Sequence, residues 1–391
     1  MRIGFVSTYP PLECGIGTYT QYLNTALRDA GNETFVISEY GAEGPAVFSV
    51  FRHGSASFPR DVFSTSTRMT PDVVHIQHEY GLYGPQCGVE VVDLILRYRI
   101  AGLPVVVTLH TVEETLTSAQ QLMLKHIIDE CEAVIVHEAY QKETLLKYFG
   151  AMNHAKKKIH VIEHGIRELV PIQDGKRKLD LENKKVILLC GYFRPTKGFG
   201  TIIDIFPQIC EEVPDAVLVV AGKTRNIEFD AYRRELFTKL NDSPRADSIE
   251  IFRGQFPQHT FDTIIAASDV VVLPYECGGQ SGVMAQCFAQ GVPVVTSALK
   301  GFKCLVERSR GGLVAASAAD YKDLIVKLLR DDALQTELRT NIRAYIEQQA
   351  GWSKIASAHA EVYQSVVTTP YGKARYVYVP EPKCNCTTSS P

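Results

Sequence analysis

The sequence predicts an α/β protein of two doubly wound, parallel-sheet domains that face each other across a central cleft. Three observations support this prediction: a length of 391 residues, short β-branched runs that alternate with longer helical stretches, and a polar segment that interrupts this alternation near the middle. A chain of this length exceeds one typical hydrophobic core. Regular alternation of strands and helices is typical of a parallel sheet with crossover helices.

The first half contains six strand candidates, and each is a short run rich in Val and Ile. Such runs are expected for strands that are covered by helices on both faces of a sheet. The strands are predicted at 2–7, 34–38, 73–77, 105–109, 133–136 and 159–162. Helices are predicted between them, including 17–29, 89–100 and 120–130.

A polar, basic segment at 173–185 carries no apolar periodicity and is therefore predicted to be the interdomain linker. The predicted domains are 1–172 and 184–351, followed by a helix at 352–368 and an irregular tail at 369–391. In the second domain the strands are predicted at 186–190, 216–221, 249–252, 270–273 and 292–296. The helices are predicted at 201–212, 230–240, 260–267, 282–290, 319–330 and 333–349.

Composition excludes several function classes. Hydrophobic residues make up 45% of the chain and charged residues 22%, which is typical of globular rather than disordered proteins. A net charge of −3 gives no electrostatic reason to expect a nucleic-acid partner. No apolar run reaches eighteen residues, so no transmembrane segment is predicted. Residues 1–7 are interpreted as a first strand and not as a signal peptide.

Cysteine and histidine spacing gives no strong metal signal. Ten irregularly spaced cysteines in a chain without an export signal predict reduced thiols and a cytoplasmic location. Cys384 and Cys386 could pair or bind metal, but two cysteines without a second pair favour a plain tail. His78-Glu79 and His137-Glu138 both lack the second histidine of a zinc helix, so no metal is predicted.

Strand ends of the first half carry glycines and polar side chains. Gly15 and Gly17 follow the first strand, where glycines let a ligand approach the backbone and the helix N–H groups. Thr20 stands where a dinucleotide fingerprint needs a third glycine, which argues against that cofactor. Candidates for hydrogen bonds to sugar or phosphate also belong to the carboxyl ends of other strands, namely His75, His78, Glu79, His110 and His164.

Two loops of the second half predict an anion site. Arg194 and Lys197 lie between a strand and a helix, where the helix N-terminus adds partial positive charge. Ser281 and Gly282 end a glycine-rich loop and begin another helix, which the Ser281 hydroxyl can cap. The two loops together could surround a diphosphate. The sequence at 222–224 resembles the end of a triphosphate-binding loop, but Val217 stands where that motif needs glycine.

These motifs together resemble the family 4 retaining glycosyltransferases of the GT-B fold. The resemblance covers roughly residues 1 to 366 and depends on many motifs in the expected order. They are 15–17, 72–75, 108–111, 164–165, 194–198, 268–274, 291–295 and Trp352. The GT-B fold consists of two Rossmann-like domains.

The resemblance implies roles for individual residues. The second domain binds a nucleotide sugar, the first binds the acceptor, and the last helix crosses back to the first domain. Lys197 and Arg194 then hold the diphosphate, and His110 touches the donor sugar. The remaining donor contacts implied are Gly15, Gly17, Gly254, Gln255, Phe256, Gln280, Ser281, Gly282 and Val283. His75, His78, Glu79 and His164 are assigned to the acceptor side.

The sequence departs from the family at one pair of positions. Many members carry two glutamates around the donor loop, where this chain has Gly278 and Gln286. A branch of the family has Gln-Ser-Gly in this loop, as 280–282 do here. Gln286 is the candidate for holding the ribose hydroxyls, with Glu276 as the alternative.

The predicted activity is a metal-independent, retaining transfer of a hexose from a nucleotide-diphosphate sugar to a saccharide or other hydroxyl acceptor. No cofactor is expected apart from the donor substrate, GDP-mannose or UDP-glucose. Two alternatives stay open: a donor-binding partner protein without transferase activity, and a sugar-nucleotide epimerase or phosphorylase of the same fold. The acceptor and the oligomeric state are not predicted.

Overall fold

Two parallel β-sheets, of seven and six strands, organise the chain. The structure, a computed structural model, describes residues 1–152, 154–224, 229–278 and 281–368. Helices cover both sheets, and the predicted fold class of two doubly wound α/β domains is confirmed. No helix in these ranges is long and apolar enough to cross a membrane.

The first sheet has the strand order β3-β2-β1-β4-β5-β6-β7. Its strands are β1 (Arg2–Val6), β2 (Glu33–Glu39), β3 (Val47–Phe51), β4 (Val73–His78), β5 (Val105–Leu109), β6 (Ala133–Val136) and β7 (Ile159–Val161). Its helices are α1 (Gly15–Asp29), α2 (Phe58–Arg68), α3 (Glu90–Ile100), α4 (Ser118–Glu130), α5 (Ala139–Phe149) and α6 (Ala155–Lys158). The order reverses between β1 and β4, which opens a crevice at the carboxyl ends of these strands.

The second sheet repeats this plan in the order β10-β9-β8-β11-β12-β13. Its strands are β8 (Lys185–Tyr192), β9 (Ala216–Lys223), β10 (Ile249–Arg253), β11 (Val270–Leu273), β12 (Val294–Ser297) and β13 (Gly312–Ala315). The helices of this half are α7 (Gly175–Lys178), α8 (Phe199–Glu212), α9 (Asp230–Asn241), α10 (Gln258–Ala266), α11 (Gly282–Ala289), α12 (Lys300–Ser309), α13 (Ala318–Arg330) and α14 (Asp332–Tyr345). A π-helical turn (Ile346–Ala350) then leads to α15 (Trp352–Val366). Here the order reverses between β8 and β11.

The central strands are buried on both faces, which explains their nearly continuous apolar sequences. In β5 every residue is buried. Val105, Val107 and Leu109 belong to one hydrophobic core, whereas Val106 belongs to the core on the opposite face. Because successive side chains of a strand point to opposite faces, both helical layers need apolar partners from the same strand.

Sequence patterns miss two edge strands, β3 and β13. In β3 only Phe51 is fully buried, so the apolar run that marks a central strand is weak. β13 begins at Gly312, where a Cβ would lie 2.5 Å from the Val294 carbonyl oxygen. Strand β12 begins at Val294 rather than at residue 292, because Pro293 has no N–H to donate to a ladder.

The chain crosses between the halves twice, along adjacent paths. The Ile166 N–H donates to the Ala350 carbonyl at 2.8 Å, and the Trp352 N–H donates to the Ile166 carbonyl at 3.2 Å. Gly165 is required here, because a Cβ would lie 2.3 Å from the Trp352 ring. Trp352 then begins α15, which packs on α1 of the first half.

Candidate functional site

The loops that follow β8 and β11 hold each other in place. Gly198 has φ 63°, and a Cβ there would lie 2.0 Å from the Pro274 carbonyl oxygen. The Glu276 N–H donates to the Thr196 carbonyl oxygen at 3.0 Å. Because β8 and β11 are neighbours at the reversal point of the sheet, these contacts fix the turn at 194–198 against the loop that leads to α11.

Helix α11 presents its N-terminus at this reversal point. The Ser281 side chain caps the helix by accepting from the Met284 N–H at 3.4 Å, as the sequence predicts. The first N–H groups of a helix have no carbonyl partner within it, and they carry partial positive charge. Gln280 lies outside the described residues.

Lys197 lies half-buried on an aromatic ring. Its Nζ is 3.3 Å from the centroid of the Tyr275 ring. Burial lowers the Lys197 pKa to about 7, and the neighbouring Arg194 adds to this effect. In the described ranges, neither Lys197 nor Arg194 forms a salt bridge with a carboxylate. Their charges are therefore not neutralised by acidic side chains of these ranges.

A cleft of about 690 Å³ lies between the two halves and brings most of the predicted donor residues together. The predicted residues that line it are Gly15, His164, Arg194, Lys197, Gln255, Phe256, Ser281, Gly282, Val283 and Gln286. An adjoining pocket of about 260 Å³ is lined by Gly254, Gln255 and Phe256. The residues predicted to bind an anion thus line the same cleft as the segment predicted to lie along a nucleobase.

Gln286 belongs to a hydrogen-bonded network in the wall of the cleft. Its Oε1 accepts from the Arg167 guanidinium and, at 3.2 Å, from Gln258 Nε2. Arg167 Nη1 also donates to Asp262 at 2.8 Å, and Gln258 Nε2 donates to the same carboxylate at 3.0 Å. Since a guanidinium can only donate, the oxygen of the Gln286 amide must face Arg167.

Gly17 lies beneath the surface of the cleft rather than in it. A Cβ at this position would lie 3.2 Å from the Tyr9 backbone nitrogen and 3.3 Å from the Thr8 carbonyl group. Gly17 therefore lets α1 pack closely on the segment after β1. Gly15, in contrast, is exposed at the cleft, and its Cβ position is open.

His110 is not among the residues that line the cleft. Its Nε2 is 2.8 Å from Gln77 Oε1 and its Nδ1 is 3.4 Å from His137 Nε2. Its ring packs edge-on against Tyr19, which lines the cleft, at a centroid distance of 4.9 Å. Burial keeps the pKa of His110 well below its usual value. Direct contact of His110 with a donor sugar remains a prediction.

Four further predicted residues do not line the cleft. His75 is buried between the hydroxyls of Tyr363 and Thr108, each 2.7 Å from one ring nitrogen. The others are His78, whose pKa is lowered by burial to about 4, Glu79, which accepts a hydrogen bond from Thr111, and Glu276, which is exposed. Burial raises the pKa of Glu79.

Several cleft residues are absent from the sequence-based prediction. Arg167, Tyr19 and Tyr22 line the cleft together with Glu13 and Lys223. Lys223 of the second half forms an ion pair with Glu13 of the first half. One sequence signal points to this part of the cleft, namely the resemblance of 222–224 to a phosphate-binding loop.

Two family models match the chain. The model described as "Glycosyltransferase Family 4" matches residues 14–168, and the model described as "Glycosyl transferases group 1" matches residues 184–331. The chain belongs to the family 4 glycosyltransferases. The first match lies within the first half and the second within the second half, so family membership is supported on both sides of the cleft.

Curated relatives are distant. Mannosylfructose-phosphate synthase of Agrobacterium fabrum is 26% identical over 215 residues, 52% of this chain and 46% of the relative. D-inositol 3-phosphate glycosyltransferase of Corynebacterium urealyticum is 24% identical over 269 residues, 64% of this chain and 61% of the relative. The chain therefore spans less than two thirds of the length of these relatives.

Solved structures confirm the GT-B fold of this family 4 chain. Anabaena HepE in complex with UDP-glucose superposes with a TM-score of 0.73 at 17% identity, and covers 93% of this chain and 100% of that chain. Sucrose-phosphate synthase from Thermosynechococcus elongatus also gives a TM-score of 0.73 at 17% identity, with 93% and 98% covered.

Proposed function

We propose that this family 4 glycosyltransferase transfers a hexose, mannose or glucose, from a nucleotide-diphosphate sugar to a hydroxyl acceptor with retention of configuration. The observation that carries the proposal is that Lys197, Arg194 and the capped N-terminus of α11 line one cleft. A guanidinium, an ammonium and a helix N-terminus together match the charge of a diphosphate.

The reaction proceeds by charge stabilisation and positioning. The bond between the anomeric carbon and the diphosphate oxygen breaks as the acceptor oxygen attacks from the same face. The acceptor proton passes to the departing phosphate oxygen, so no pair of protein carboxylates is needed. Negative charge grows on that phosphate, and one well-placed donor contributes about 3–4 kcal/mol to lowering such a barrier.

The donor is proposed to be GDP-mannose or UDP-glucose. The Gln-Ser-Gly loop favours the first. The structural likeness to HepE, which was crystallised with UDP-glucose, is the support for the second. Neither choice requires a metal, because Arg194, Lys197 and α11 supply the positive charge.

Product analysis tests the proposal. The enzyme is incubated with each donor, a panel of sugar and polyol acceptors, and EDTA, and the anomeric configuration of any product is determined by NMR. We expect a glycoside with the donor's configuration. Nucleotide binding without turnover would instead indicate a donor-binding partner protein. An isomerised donor would indicate an epimerase. In a parallel reaction with a glycoside and inorganic phosphate in place of the donor, formation of a sugar phosphate would indicate a phosphorylase.

Lys197→Ala supplies the residue-level test. We expect transfer to fall by at least about two orders of magnitude, because one major source of charge stabilisation is lost. Lys184→Ala, at an exposed lysine in the 173–185 segment, serves as the matched control. Near-normal turnover in a folded Lys197→Ala protein contradicts the role of Lys197.

A further inference from the structure

Tyr275 forms a rigid surface beneath Lys197. It follows β11 and Pro274, and only 4% of the residue is exposed. Its ring packs against Phe302 at a centroid distance of 5.4 Å and an interplanar angle of 56°. Burial raises the pKa of the Tyr275 phenol, so the ring remains neutral. The ring therefore has a fixed position and an intact π face.

The ammonium of Lys197 lies directly over that face. The distance of 3.3 Å from Nζ to the ring centroid is well inside the range of about 6 Å in which a cation is attracted by an aromatic quadrupole. Lysine has a flexible four-carbon stem, so its charged end needs a partner to stay in one place. In the described ranges no carboxylate forms a salt bridge with Lys197.

An aromatic face differs from a carboxylate in one respect that matters for an anion site. A carboxylate would hold the ammonium by neutralising it and would then compete with the phosphates of a ligand. The neutral ring attracts the ammonium but carries no opposite charge of its own. The contact thus fixes the position of the protonated Lys197 without pairing it with an anion.

The loop contacts fix Tyr275 relative to Lys197. Gly198, the residue after Lys197, lies against the carbonyl of Pro274, the residue before Tyr275. On the far side, the Glu276 N–H donates to the Thr196 carbonyl oxygen at 3.0 Å. Each of the two loops is therefore fixed on both sides of the Lys197–Tyr275 contact.

We propose that Tyr275 is a positioning residue of the donor site, whose ring face holds the Lys197 ammonium beside the N-terminus of α11. The proposal rests on the proposed function, because Lys197 matters only if it binds the diphosphate. Tyr275 acts through Lys197 and makes no contact with the reacting atoms.

A double-mutant cycle tests this role. Tyr275→Leu and Tyr275→Met remove the ring, whereas Tyr275→Phe keeps it. In the otherwise unchanged enzyme we expect the first two to lower kcat/KM about tenfold and Tyr275→Phe to change it less than about twofold. In the Lys197→Ala background, Tyr275→Leu and Tyr275→Met should have no further effect, since no ammonium remains to be positioned.

Tyr321 provides the matched control. It is a buried tyrosine of α13 in the same half, with 6% exposure, and it lies outside the cleft. Tyr321→Leu should destabilise the fold to a similar extent without the tenfold loss of kcat/KM. Urea denaturation of every variant confirms that the compared proteins are folded, and Tyr275→Met replaces Tyr275→Leu if the latter does not fold.

The outcomes separate the two proposals. Equal losses from the Tyr275 substitutions in both backgrounds would show a merely structural role and overturn the positioning proposal alone. A loss in Tyr275→Phe as large as in Tyr275→Leu would do the same. If Lys197→Ala itself has no effect on transfer, that result contradicts the proposed function of the site rather than the positioning role of Tyr275.

Discussion

Arg308 of α12 donates two hydrogen bonds to the carboxylate of Glu138, at 2.6 and 2.8 Å, and this pair joins the two halves of the protein. Only 1% of the Glu138 side chain is exposed. Arg308 also lies 3.1 Å from Glu163, which accepts a hydrogen bond from the Tyr345 hydroxyl. The relative position of the two cleft walls is therefore set in part by an ion pair with a buried carboxylate.

Replacement of Arg308 should destabilise the protein strongly. Arg308→Met leaves the Glu138 carboxylate buried without this partner, and breaking such a pair costs about 3–5 kcal/mol. Urea denaturation measures the loss in the free energy of unfolding. The control is Lys300→Met, which removes a more exposed interdomain pair with Glu114 and should change the free energy of unfolding much less, because solvent screens an exposed pair. Equal losses in the two variants would contradict the importance of the buried pair.

Nucleotide affinity should depend on pH through Lys197. Its pKa of about 7 in the empty site means that the side chain is largely neutral above that pH. A diphosphate needs the ammonium, so affinity should fall as pH rises, by up to about tenfold per pH unit. Calorimetric titration with UDP and GDP between about pH 6 and pH 9 measures this dependence. Lys197→Arg, which stays charged, should bind with little pH dependence, and an equally steep decline in that variant would contradict the assignment.

Gln286 should affect donor binding more than turnover. Gln286→Ala removes the amide that Arg167 and Gln258 hold in the cleft wall, so we expect the donor KM to rise about tenfold with kcat nearly unchanged. Steady-state kinetics with varied donor separates the two constants. Gln173→Ala, at an exposed position, is the control. An unchanged donor KM would remove Gln286 from the donor site.

Buried histidines should make the fold sensitive to mild acid. Burial lowers the pKa of His137 to about 3 and that of His359 to about 4, from a usual value of 6.5. Below pH 6.5 the unfolded chain binds protons that the folded protein excludes. The free energy of unfolding should therefore decrease as pH falls toward 4, by up to about 1.4 kcal/mol per pH unit for each such histidine.

Denaturation at several pH values, with His359→Gln and the exposed His53→Gln as a matched pair, measures that slope. The His359 variant should show a shallower pH dependence than the unchanged protein, whereas the His53 variant should not. If both variants keep the full slope, His359 does not contribute to the acid sensitivity.

Local sequence patterns predict most of the fold because each buried strand is nearly continuous in Val and Ile. Strands β5, β6 and β11 begin and end at the predicted residues, and most other predicted ends, including the C-terminal end of α15, differ from the observed ones by no more than two residues. The edge strands β3 and β13 are not predicted, because they are only partly buried. The loops with Lys197 and Ser281 can be located because both follow strands at a reversal point of the sheet.

Contacts between residues distant in sequence could not be predicted in this way. Arg167 meets Gln286 across 119 positions, and Arg308 meets Glu138 across 170. His110 follows a strand end, as the sequence indicates, yet it does not line the cleft and its ring packs against Tyr19 of α1, which does. The pattern locates a residue on a strand but gives no information about which neighbour covers it.

A crystal structure with an intact nucleotide sugar is the most direct measurement of the central claim. We expect the diphosphate to lie within hydrogen-bonding distance of Lys197 Nζ and the backbone N–H of Gly282, with the sugar directed toward Gly15. A diphosphate bound away from the N-terminus of α11, or one that leaves Lys197 on Tyr275 without contacting it, would contradict the account.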